Sequence, residues 1–128
     1  ALAGKPGVTL IPHLGASTEE AEENCAVMAA KQMRDFFETG TIVNSVNMPE
    51  CIVPPSDTVR VTIIHKNLTN MVGQITNTIA KYGLNIADMA NKSRGDIAYT
   101  VLNLDHEISQ EAVDEITGIE GVIKVRVI

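Results

Sequence analysis

Val59-Arg60-Val61-Thr62-Ile63-Ile64 is a run in which every side chain except Arg60 is β-branched, the composition of a buried strand. Directly after it, Val72, Ile75, Ile79 and Tyr82 recur at three- and four-residue steps, a helical stripe, and Gly83 follows where a C-cap glycine belongs. Working outward from this strand and helix, Leu84–Lys92 and Ile97–Leu104 read as two strands joined at Ser93-Arg94-Gly95-Asp96, a turn eased by the glycine. Ser109–Ile116 reads as a second short helix, with Ser109 and Ala112 at the spacing of a start signal and Gly118 and Gly121 closing it. Val122–Ile128 then alternates, which places Ile123, Val125 and Val127 on one face and Lys124 and Arg126 on the other. The order is βαββαβ. The right-handed crossover rule folds two βαβ halves into a four-stranded antiparallel sheet with both helices on one face, a ferredoxin-like α+β sandwich. The opposite face is expected to lie open and to meet water or a second subunit.

Upstream the pattern changes. Between Gly40 and Asp57, Pro49, Pro54 and Pro55 punctuate a segment of little periodicity, which reads as an interdomain connector. Before it, Val8–Gly15 reads as a short buried strand ending at Pro12, followed by a helix from Thr18 to Thr39. Ser17 and Thr18 are its candidate caps, and Ser17 with Glu20 has the spacing of a capping box. Ala21, Cys25, Met28 and Phe36 give that helix an apolar face. Such a face is expected to pack against a larger body, a second copy or the downstream domain, or else to be mobile. The domains read as 1–50, a linker 51–57, and 58–128. The opening Ala-Leu-Ala-Gly-Lys-Pro-Gly has neither an initiator methionine nor the charged and apolar regions of a secretory signal, so it reads as an internal cut.

Composition bounds the function. The chain has 128 residues and 13.8 kDa, with 45% hydrophobic and 20% charged residues, enough apolar material for one folded core. A net charge of −6 argues against a nucleic-acid partner, which needs clustered Lys and Arg, and no apolar stretch reads as membrane-spanning. Cys25 and Cys51 have no CxxC spacing and no histidines nearby, so no metal site is expected and a reducing, cytoplasmic compartment is. His106, in the polar turn Asp105-His106-Glu107, and the acidic run Glu19–Glu23 read as solvated surface.

His13 follows a proline at the end of an apolar run, where a neutral imidazole could take a proton from a hydroxyl-bearing carbon. Ile11-Pro12-His13-Leu14-Gly15-Ala16-Ser17-Thr18, the amphipathic helix, and Ile42-Val43-Asn44-Ser45-Val46-Asn47-Met48-Pro49 together resemble the end of the catalytic region of D-2-hydroxyacid dehydrogenases. The resemblance implies that His13 is the acid/base residue and that His13 and Gly15 lie beside an NAD cofactor in an intact oxidoreductase. The family's glycine-rich pyrophosphate turn, its substrate-binding arginine and its glutamate precede this motif and are not in the chain. No cofactor is therefore expected to bind the chain alone, and no hydride transfer is expected of it.

His65, Asn67 and Asn85 are the second candidates, two at the end of the first strand of the βαββαβ unit and one at the start of the second, positions that adjacent strands are expected to bring near one another. An asparagine amide offers both a donor and an acceptor, which suits the carboxylate and ammonium of a small amino acid, and a helix N-terminus favours the anion. Read from the residues alone, Asn67 and Asn70 serve equally as turn and cap residues, and Asn85 as a residue tolerating the bend after Gly83. Val61-Thr62-Ile63-Ile64-His65-Lys66-Asn67 followed by Tyr82-Gly83-Leu84-Asn85-Ile86 resembles the ACT regulatory domain that ends serine-pathway members of the same dehydrogenase family. That resemblance spans residues 58–128. It implies that His65, Asn67 and Asn85 bind L-serine as a feedback effector between two ACT domains, so that the protein is a homo-oligomer. The alternatives are a ligand-free association module and an ACT domain for another amino acid. ACT domains have Pro-Gly at the first strand-to-helix turn, whereas this chain has Thr69-Asn70; asparagine tolerates the left-handed conformation such a turn needs.

Overall fold

Seven elements make up the structure, a computed structural model that describes residues 2–54 and 56–128; Ala1 and the connector residue Pro55 lie outside the described residues. The elements are α1 (Glu19–Thr39), β1 (Val59–Lys66), α2 (Met71–Lys81), β2 (Ile86–Arg94), β3 (Ile97–Leu104), α3 (Gln110–Thr117) and β4 (Val122–Val127). Two compact units are present, residues 1–31 and residues 32–128.

In the larger unit the sheet order is β2-β3-β1-β4, antiparallel at every pairing, which is the expected βαββαβ sandwich. Period two on the strands places Val61, Ile63, Leu102 and Leu104 on one face. The i, i+4 step on α2 sets Ile75 and Ile79 against them, and α3 adds Ile116; all seven are fully buried. Gly83 takes φ 73° after α2, and Ser109 caps α3 by accepting the Ala112 amide proton at 3.3 Å, both as the spacing predicts.

Strand β4 departs from its predicted alternation. A bulge between Ile64 and His65 shifts its register on β1, and Val122 rather than Ile123 packs against the core. Ile123 is 53% exposed, and Val127, at the end of this edge strand, is 48% exposed.

The second sheet face is not open as expected. Tyr99 and Val101 of β3 point away from the helices, and the segment 40–53 lies over them with Ile42, Cys51 and Val53 buried. Ile42 and Cys51 exchange backbone hydrogen bonds at 2.9 Å, closing this segment into a flap. Strand β3 is consequently buried on both faces. The segment shows no period because it docks through isolated side chains separated by turns.

Gly40 is the pivot of this packing. It ends α1 at φ 78°, its N–H reaches the Phe36 carbonyl at 3.0 Å, and its own carbonyl accepts the Tyr99 hydroxyl at 2.8 Å. A Cβ there would lie 2.8 Å from Thr62 Cγ2 and 3.0 Å from the Tyr99 hydroxyl oxygen. Gly40→Ala combines left-handed strain with overpacking, so a loss of about 2–3 kcal/mol is expected in denaturant titrations; an unchanged midpoint would refute it.

In the smaller unit the sequence expectation needs correction. Val8–Gly15 forms no strand, and Leu10, Ile11 and Leu14 are exposed, because no second strand is present among the described residues of this unit to share a ladder with it. The Ser17–Glu20 capping box is replaced: Ser17 donates to the Leu14 carbonyl at 2.8 Å, and Thr18 caps α1 by accepting the Ala21 amide proton at 3.2 Å. Within α1, Cys25 and Met28 are exposed, while Ala21 and Phe36 of the expected apolar face are half-buried, Phe36 against Tyr99 and its neighbours. No helix of the described residues is long and apolar enough to cross a membrane.

Candidate functional site

His65 is the penultimate residue of β1, with its ring turned into the helix-covered side, 2% exposed. Its Nδ1 lies 2.8 Å from the Lys66 carbonyl, an acceptor only, which puts a proton on that nitrogen. Its Nε2 lies 2.9 Å from the Thr100 hydroxyl oxygen, which is itself 2.9 Å from Asn91 Oδ1. The three side chains form a polar row across β1, β3 and β2. Both ring nitrogens are thus occupied within the chain.

Asn67 is exposed just beyond β1. Its side-chain amide donates to the Gly95 carbonyl at 3.0 Å and its backbone N–H to the Asp96 carbonyl at 2.8 Å, so the β2–β3 turn holds it and leaves Oδ1 free as an acceptor. Asn70 follows as the N-cap of α2 at φ 66° and makes no side-chain cap bond; the left-handed asparagine turn expected there is formed. The N–H groups of the first turn of α2 therefore have no side-chain acceptor at the cap.

Asn85 does not join this group. Adjacency of β1 and β2 would bring it to His65 and Asn67, but β3 lies between those two strands. Val59 pairs with Leu104 and Leu104 with Ile86, whereas His65 pairs with Ala98 and Ala98 with Ser93. Asn85 is therefore level with the start of β1, across β3 from it, at the opposite end of the sheet from His65, roughly 20 Å away along the strand direction at the rise of a strand. Its backbone N–H donates to Asp105 Oδ1 at 3.0 Å and its carbonyl accepts the Asp105 N–H at 3.1 Å, while its side chain is exposed.

The Asn85 amide, with His106 second, holds the Asp105 carboxyl below the ordinary carboxylate range; Lys81 and then Tyr82 do the same for Glu115, which bridges α2 and α3. A depressed folded-state pKa stabilises above the unfolded value and is lost as pH falls through the folded one. Stability should therefore decline on acidification below about pH 4, where unfolded carboxyls begin to protonate. Glu115→Gln should flatten that decline in thermal melts taken from neutral pH to pH 3, and an identical slope would refute the assignment.

His13 is exposed in the smaller unit, with no carboxylate in ion-pairing reach among the described residues. A Cβ on Gly15 would lie 3.2 Å from His13 Nε2, so the ring rests against the glycine. These residues do not make a dinucleotide cradle. No strand precedes α1 among the described residues, and Gly4 and Gly7 sit in turns that open no helix. No group of three metal-ligating side chains occurs among the described residues.

Sequence reasoning missed Thr100, Asn91, Asp105 and the Gly95 carbonyl as supports of the candidate side chains. Thr100 alone was detectable, as a polar residue at a core position of β3 between Ala98 and Leu102.

The βαββαβ order and the sheet order define a ferredoxin-like domain. No family model matches the chain. The crystal structure of the ACT domain from GTP pyrophosphokinase of Chlorobium tepidum is 20% identical, covers 57% of this chain and 100% of that one, and superposes with a TM-score of 0.47. In sequence the chain is 32% identical over 124 residues to D-3-phosphoglycerate dehydrogenase of Dictyostelium discoideum, and 28% identical over 123 residues to that of Escherichia coli K12. It is a homologue of D-3-phosphoglycerate dehydrogenases over 94–96% of its own length, and it spans 30% of theirs.

Proposed function

We propose that this chain is the carboxyl-terminal, regulatory part of an NAD-dependent, cytoplasmic D-3-phosphoglycerate dehydrogenase, and that its ACT domain binds L-serine between two copies as a feedback effector. The observation that carries this reading is the placement of His65 and Asn67 at one end of the sheet and Asn85 at the other. A two-fold pairing of ACT domains presents one chain's Asn67 end to the other chain's Asn85 end, so each site draws on both copies. Asn67 Oδ1 then offers an acceptor to the ammonium, and the first turn of α2 offers donors to the carboxylate.

In this reading residues 1–50 are a remnant of the catalytic region, 51–57 the linker and 58–128 the ACT domain. His13 is the acid/base residue, with Gly15 beside the nicotinamide, only when the rest of the enzyme supplies the cofactor cradle; the chain alone turns over no substrate. Docking of Ile42, Cys51 and Val53 on the sheet gives effector binding a physical route to the linker, because a ligand that favours one subunit arrangement shifts whatever is packed on it. Calorimetric titration with L-serine tests the reading: saturable heat at millimolar serine or below is expected, and its absence at any protein concentration refutes it.

A second reading is favoured by one observation. His65 is buried with both ring nitrogens satisfied internally, as in a ligand-free association module. Dimerisation in sedimentation velocity without heat from serine or a panel of amino acids would establish that reading instead.

A further inference from the structure

We infer that Asp105 is a positioning residue of the effector site: it grips both backbone polar groups of Asn85 and so aims that asparagine's side chain at the ligand. The inference rests on the serine-binding reading. Backbone bonding alone holds Asn85 only by its carbonyl, because the β2–β3 pairing ends at Ile86 and Leu104, a bulge between Ile86 and Asp88 interrupts it immediately afterwards, and the Asn85 N–H is left to the Asp105 side chain. Asn85 is therefore a residue past a ladder end and next to an irregularity, the place where a strand frays.

Asp105, the first residue after β3, closes that end from the other side. Its Oδ1 accepts the Asn85 N–H at 3.0 Å and its N–H donates to the Asn85 carbonyl at 3.1 Å, a two-bond clasp across the sheet end. The carboxylate is braced in turn by His106 Nδ1, 3.1 Å from the same oxygen. With its backbone consumed in this way, Asn85 has only its side-chain amide left, and that amide is exposed.

The test compares Asp105→Ala, Asp105→Asn and Asn85→Ala with the wild-type chain by L-serine calorimetry and by hydrogen exchange at the Asn85 amide. Asp105→Ala should weaken serine about tenfold and speed exchange at Asn85 by a similar factor, the scale of one lost charge-assisted bond. Asp105→Asn keeps a side-chain acceptor and should stay within about threefold on both measures. Wild-type affinity in Asp105→Ala, with binding abolished in Asn85→Ala, overturns the positioning role and leaves the serine site standing. No serine binding by the wild type overturns both; accelerated exchange in Asp105→Ala would then mark the clasp as structural only.

Discussion

Replacing Arg60 by alanine should lower the stability of the larger unit by about 3 kcal/mol, the cost of stripping a buried, charged donor from its acceptors. The guanidinium is 3% exposed and donates three bonds: Nε to Asn103 Oδ1 at 2.8 Å, Nη1 to the Thr39 carbonyl at 2.6 Å, and Nη2 to the Pro54 carbonyl at 2.6 Å. One side chain thus ties the end of α1, the connector and β3 to β1. Removing it leaves three acceptors unpaired around a cleft lined by Glu38, Thr39, Ser56 and Thr58, and frees the connector from the end of the sheet. A drop in Tm of roughly 12–20 °C is expected by circular dichroism for a domain of this size. Arg60→Lys should recover little, because a single ammonium does not reproduce a planar fork aimed in three directions. Limited proteolysis should cut between residues 40 and 57 in both variants and not in the wild type. A melting point within a degree or two of the wild type would refute this account.

Arg60 also marks where sequence stops being informative. Its strand was legible because its neighbours are β-branched and the pattern is local, and α2 and α3 were legible because their apolar stripes coincide with cap residues such as Ser109. The role of Arg60 depends on carbonyls of residues 39 and 54, which no local pattern brings together. The same holds for the flap. Ile42, Cys51 and Val53 gain their meaning only from Tyr99 and Val101, which alternate outward on a strand whose inward residues already satisfy the helices. Two expectations failed for a matching reason. Val8–Gly15 has the composition of a strand but no second strand among the described residues of its own unit to complete its hydrogen bonds, and Ile123 falls off the expected face because it is the extra, unpaired residue of a bulge in β4 that resets the alternation there. For the candidate site, the residue types were readable and their distribution was not: adjacency in sequence order placed β2 beside β1, and the antiparallel return of β3 separates them.

That separation yields the prediction of largest functional effect, the complementation of two defective chains. If each serine site takes Asn67 from one copy and Asn85 from the other, Asn67→Ala and Asn85→Ala should each abolish binding in their own homodimers, with affinity falling about a hundredfold for a lost buried amide contact to a charged ligand group. After unfolding and refolding of an equimolar mixture, half of the dimers are mixed. Within a mixed dimer, two-fold symmetry places both lesions in one site and leaves the other intact. Calorimetry of the mixture should therefore recover roughly one quarter of the wild-type sites at wild-type affinity, a stoichiometry set by the symmetry of the interface. A site built within one chain gives a different result, since every chain then carries one lesion and no mixing restores binding. The backbone already excludes that second arrangement for one copy, as the register sets Asn67 and Asn85 at opposite ends of the sheet. Recovery near one quarter would establish that two ACT domains share the effector, which is the condition for serine to act on the arrangement of subunits. No recovery from a mixture shown to exchange chains would overturn the shared site.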